Sequence, residues 1–299
     1  MTSTEAAASV ELRHDYAPGS EPGGPVVFLP ALFAGDWIWE PTAARLRAHG
    51  FGVIRLLDPL VQYDWASGGI EELRAALRVI LDQHGVERAM LCGNSLGALM
   101  ALDFARAYPG RVEGVVVSGA PGLEPERSTA PEAGHPGHAA PHVAPAPPTS
   151  PAPRWIMREF VSQMLEHLSY DPRLATPLYR QTNGGISERQ RLVTLVRARK
   201  AARAYPLARI LPDIRCRVFL VWGESDRITP LAWWHPWPQT HPLFEVRTIP
   251  RCGHSPMFER PDVFSELLMG FLLRNGARSG ALQVSHARSL PSQAVRAST

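Results

Sequence analysis

Continuous apolar runs alternate with helical stripes along most of the chain. Val26-Val27-Phe28-Leu29, Val53-Ile54, Ala89-Met90-Leu91-Cys92, Val115-Val116-Val117 and Val218-Phe219-Leu220-Val221-Trp222 carry no polar residue. Strands buried on both faces read this way, as in a parallel sheet covered by helices. A further strand is expected near residues 244–249. Between the runs, Ile70, Leu73, Leu77, Ile80 and Leu81 fall on one helical face that ends near Gly85. Leu96, Leu99, Met100 and Phe104 mark a second helix that stops at Tyr108-Pro109-Gly110, and Phe264, Leu267, Leu268 and Phe271 mark the last. Repeated strand–helix units predict an α/β fold with a mostly parallel central sheet flanked by helices.

Two stretches interrupt the rhythm. Residues 121–153 hold ten of the chain's 29 prolines and read as a flexible linker. Residues 154–211 are patterned for helix alone, which predicts a helical cap inserted between core segments 1–120 and 212–273. Residues 274–299 show no apolar stripe and are expected to form a disordered basic tail.

Charge narrows the range of partners. The 299 residues carry a formal net charge of +3, but 154–209 contributes +7 and the tail +4, leaving −8 for the remainder. A nucleic-acid domain concentrates its basic residues on an ordered, groove-reading face, so no nucleic-acid partner is expected. No apolar run approaches the ~18 residues that span a bilayer, and no secretory signal opens the chain, so no membrane partner is expected. Cys92, Cys216 and Cys252 are too few for a disulfide framework, which points to a cytoplasmic protein. His135, His138 and His142 have no Cys or carboxylate at ligand spacing; neither a metal nor another cofactor is expected.

The chemistry centres on Gly93-Asn94-Ser95-Leu96-Gly97, which follows one predicted strand and opens a helix. In that setting G-x-S-x-G is a nucleophile elbow: a tight turn lifts the serine hydroxyl above the sheet edge, and the next N–H, on Leu96, faces a developing oxyanion. A serine hydroxyl needs a base to take its proton and a carboxylate to orient that base. Asp226 follows the strand at 218–222, whereas Glu224 lies closer to the strand and reads as a bracing residue. His254 lies in Cys252-Gly253-His254-Ser255-Pro256, after the expected strand at 244–249.

These motifs, with Pro109-Gly110-Arg111-Val112 and Glu259-Arg260-Pro261, resemble the α/β-hydrolase superfamily over roughly residues 9–273, in the branch with a helical cap after the sixth strand. The resemblance implies Ser95 as nucleophile, Asp226 as orienting acid and His254 as general base. It disfavours haloalkane dehalogenase and epoxide hydrolase activities, whose enzymes place aspartate at the position of Ser95. One departure stands out. Family members commonly carry His-Gly after the first long core strand, and this chain has Pro30-Ala31 there, with Leu32 supplying the second oxyanion N–H. A side chain at residue 31 replaces a glycine able to take positive φ, so an altered loop is expected.

A small-molecule pocket is expected between the sheet's C-terminal edge and the cap, lined by Phe33, Trp37, Asn94 and Trp155 and largely apolar. Arg189, Arg191, Arg197, Arg199 and Arg203 read chiefly as a solvated helix face, with an anionic substrate or acidic carrier domain as the minority reading. The overall expectation is a serine hydrolase cleaving an ester or related acyl bond of a hydrophobic small molecule. The competing readings are a thioesterase, acyltransferase or carbon–carbon bond hydrolase with the same residues, and a non-catalytic ligand-binding homologue.

Overall fold

The computed structural model describes residues 11–65, 69–124, 167–182, 184–235 and 237–287. Seven strands form one sheet: β1 (His14–Ala17), β2 (Val26–Leu29), β3 (Val53–Leu56), β4 (Ala89–Asn94), β5 (Val112–Ser118), β6 (Arg217–Gly223) and β7 (Phe244–Ile249). Their spatial order is β1-β3-β2-β4-β5-β6-β7, and every pairing is parallel except the antiparallel edge of β1 on β3. The five apolar runs become β2 to β6, and the strand expected near 244–249 is β7. β1 was not foreseen, because His14-Asp15-Tyr16-Ala17 is half-buried along its whole length and shows no apolar run.

The helices are α1 (Glu40–Ala48), α2 (Ile70–Gln83), α3 (Leu96–Ala107), α4 (Pro172–Thr182), α5 (Glu188–Ala204) and α6 (Pro261–Ala287), with several single turns between them. α1 packs on α6 and α2 on α3, flanking the sheet. The stripe Leu73, Leu77 and Leu81 on α2 is fully buried, as are Phe264, Leu268 and Phe271 on α6. α6 runs to Ala287, beyond the expected boundary at 273. Extending a formed helix adds one hydrogen bond per residue without a nucleation cost, so it needs no apolar stripe, and no proline interrupts 274–287.

Among the described residues no strand lies between β5 and β6; α4 and α5 occupy that interval. The helical insert therefore leaves the sheet after the fifth described strand, where the resemblance implies a sixth. Most of the expected linker, along with Trp155, lies outside the described residues. No described helix is long and apolar enough to cross a membrane.

The strand order fixes where a site can form. The chain runs from β2 outward to β3, then returns to place β4 on the other side of β2. The connections after β2 and β4 thus diverge and leave a crevice at their C-terminal ends, the usual location of a ligand in an open parallel sheet.

Candidate active site

Ser95 stands at that crevice, between the end of β4 and the first turn of α3. Its backbone has φ 55° and ψ −121°, a conformation that side chains other than glycine rarely adopt. Its N–H donates to Ser118 O at 2.8 Å, which pins the turn to β5. The flanking glycines make the turn sterically feasible. A Cβ on Gly93 would lie 2.4 Å from Gly97 O, and one on Gly97 would lie 2.4 Å from Leu29 O. Strand, turn and helix approach too closely for any other residue at either position.

His254 and Asp226 arrive from the loops after β7 and β6. Both are buried, and His254 Nδ1 lies 3.1 and 3.0 Å from the two Asp226 carboxylate oxygens. A carboxylate only accepts, so Nδ1 carries a proton, and in the neutral ring the lone pair lies on Nε2. Asp226 is itself held in a turn. Oδ1 accepts from the Ile228 and Thr229 N–H groups at 2.9 and 3.0 Å, and Oδ2 accepts from the Thr229 hydroxyl at 3.0 Å. Thr229 was not anticipated, although its i+3 spacing from an aspartate is a turn pattern visible in the sequence. Glu224 is turned away to the surface and accepts from the Thr248 hydroxyl at 2.9 Å.

The histidine loop is clasped on both sides of His254. Glu259 accepts from the Gly253 N–H at 3.0 Å, the Ser255 N–H at 3.2 Å and, from the entry to the helical insert, the Tyr170 N–H at 2.7 Å. Burial pushes the Glu259 carboxyl above its usual range, and the three N–H groups oppose that shift. The His254 N–H donates to Leu168 O at 3.1 Å.

Ser95 and His254 border one cavity, together with Ala31, Leu32, Phe33 and Leu96 from the core and Leu168, Tyr179, Leu195, Ala198, Arg199 and Ala202 from the insert. Neither the Leu32 nor the Leu96 N–H has an acceptor among the described residues, and both belong to residues that line the cavity near Ser95. The loop carrying Leu32 is held by the Leu60 N–H on Ala31 O at 3.0 Å and the Val61 N–H on Leu32 O at 2.6 Å. Ala31 does not take positive φ; among described non-glycine residues only Ser95 and Arg251 do. The replacement of His-Gly by Pro30-Ala31 therefore leaves this loop free of that strain.

Two expected pocket residues are placed elsewhere. Asn94 is fully buried beneath the elbow and does not border the cavity; its amide donates to Ser118 O and His254 O. An amide at the last position of a central strand finds backbone carbonyls closer than any ligand. Trp37 sits one layer behind the cavity, edge-on to Tyr179 and Phe258 with ring centroids 5.1 Å away in each case. Tyr179 instead reaches the cavity, a role that no motif in the sequence marks. Phe33 does line it. Among the described residues no group of three or more His, Cys, Asp or Glu could hold a metal ion.

Gly119 leaves the room that His254 occupies. It has φ +63°, and a Cβ there would lie 2.6 Å from His254 Cε1 and 2.8 Å from Nδ1. Gly119→Ala should displace the ring and cost about 10²-fold in kcat, as expected for a misplacement near 1 Å. Kinetics alongside a melting curve check this: unchanged turnover in a folded variant would show that the ring has slack.

Residues 26–267 match the sequence model of the alpha/beta hydrolase family. The chain is 27% identical over 212 residues to a 2-hydroxy-6-oxo-6-phenylhexa-2,4-dienoate hydrolase of Burkholderia cepacia, covering 66% of this chain and 67% of that protein. It is 28% identical over 217 residues to a 2-hydroxy-6-oxononadienedioate/2-hydroxy-6-oxononatrienedioate hydrolase of Paraburkholderia phymatum, covering 69% and 70%. An esterase from Exiguobacterium antarcticum shares the fold at a TM-score of 0.64 and 15% identity, over 87% of this chain and 94% of that one.

Proposed function

Given that the chain belongs to the alpha/beta hydrolase family, we propose that it is a serine hydrolase that cleaves an ester or related acyl bond of a hydrophobic small molecule. The observation that carries this reading is the His254 Nδ1–Asp226 hydrogen bond beside a cavity that also exposes Ser95 on its elbow. The mechanism follows from that arrangement. Ser95 Oγ attacks the substrate carbonyl while its proton passes to His254 Nε2. The oxyanion is met by the Leu32 and Leu96 N–H groups, the second at the positive end of α3. Collapse expels the alcohol with the proton from His254, leaving an acyl-enzyme. Water then attacks, with His254 as base, and frees the acid and Ser95. No metal or organic cofactor takes part in this scheme.

A second reading keeps the same residues and breaks a carbon–carbon bond beside a ketone. It is favoured by the two relatives named above as dienoate-type hydrolases. The deciding assay compares p-nitrophenyl butyrate with 2-hydroxy-6-oxo-6-phenylhexa-2,4-dienoate. A kcat/KM at least ~10²-fold higher for the ester supports the first reading, and the reverse supports the second. Turnover of neither, in a folded protein, would favour a ligand-binding role.

A further inference from the structure

We infer that Tyr179 is a positioning residue, coupling the helical insert to the general base through Ser255 and Asn94. The inference rests on the serine-hydrolase reading above, in which His254 acts as general base.

The direction of each hydrogen bond follows by elimination. Asn94 Nδ2 lies 3.2 Å from Ser118 O and 2.9 Å from His254 O. Carbonyls only accept, so both amide protons are committed and Asn94 Oδ1 must be an acceptor. Ser255 Oγ, 3.4 Å from that Oδ1, donates its single proton there. Having spent it, Ser255 Oγ accepts from the Tyr179 hydroxyl at 3.1 Å. Burial raises the Tyr179 phenol well above its ordinary pKa, so it remains a donor. The relay runs one way, from Tyr179 through Ser255 to Asn94 and on to the His254 carbonyl.

Its placement connects the reacting groups. Asn94 immediately precedes Ser95, and Ser255 immediately follows His254. The relay therefore joins the nucleophile's loop to the base's loop, and a side chain from α4 supplies its first donor. The Tyr179 ring is held edge-on by Trp37 at an interplanar angle of 80°, so the hydroxyl has one place when α4 is seated. Removing the hydroxyl leaves the His254–Asp226 bond intact and loosens only the registration of His254 against Ser95.

The test compares Tyr179→Phe, Ser255→Ala and the double variant, with melting curves to establish folding. Readouts are kcat and KM for p-nitrophenyl acetate, and the rate at which a fluorophosphonate labels Ser95. Each single variant should lower kcat and the labelling rate about 10-fold, a fraction of the cost of a full 1 Å misplacement, with KM held within about two-fold. The double variant should be no slower than the slower single, because the relay acts as a unit. Unchanged kcat, a rise in KM alone, or losses that multiply in the double variant would each overturn the inference while leaving Ser95 as nucleophile. Wild-type protein that neither labels nor turns over would instead bring down the hydrolase reading, and the relay with it.

Discussion

Replacing Ser95 by alanine is expected to remove turnover by a factor on the order of 10⁶ while leaving the fold in place. The loss is large because, among the described lining residues, Ser95 is the one set on an elbow; the three cysteines are free thiols outside that lining, and burial raises all of them above the ordinary thiol range. Stability should hold, since alanine keeps the Cβ that Ser95 already places at φ 55° and removes only the hydroxyl. A fluorophosphonate should label the native chain and not Ser95→Ala. Equal labelling of both would remove Ser95 from the mechanism.

The next largest effect is expected for Asp226→Asn, near 10⁴ in kcat, or about 5 kcal/mol of barrier. The hydrogen bonds around Asp226 dictate which way the new amide would point. Oδ1 accepts two backbone N–H groups, so the asparagine oxygen stays there and its NH₂ takes the place of Oδ2. That NH₂ then donates to His254 Nδ1, forcing the ring proton onto Nε2, where it can no longer take one from Ser95. Glu224→Gln should stay within about two-fold of wild type, because Glu224 contacts Thr248 at the surface. Measuring both under one buffer and substrate decides the assignment. A crippled Glu224→Gln beside a near-normal Asp226→Asn would mean the acid is Glu224.

The parts legible in the sequence are those set by local rules. Strands β2 and β4 to β6 announce themselves as unbroken apolar runs because both faces are covered. The elbow is legible because its glycines answer a steric demand within five residues. The loop after β6 offered two carboxylates, and only position relative to the strand end separated Asp226 from Glu224. What escaped depends on contacts between distant segments. Tyr179 and Ser255 are 76 positions apart, and nothing in either local sequence announces the other. Asn94 was misplaced for the same reason: its carbonyl partners on β5 and the histidine loop are invisible until the sheet is assembled. β1 is short and half-buried, so it lacks the pattern that betrays the central strands.

Among the described residues, hydrogen bonds tie both ends of the helical insert to the core. At its entry Leu168 and Tyr170 are bound to the histidine loop and Glu259, and at its exit the Tyr205 hydroxyl donates to Asp103, a fully buried carboxylate on α3 that also pairs with Arg74. The bond between Tyr179 and Ser255 ties α4 to the histidine loop between those two ends. Tyr179→Phe severs that middle tie and leaves both ends bound, so its effect on kcat measures how much of catalysis depends on the contact between α4 and the histidine loop.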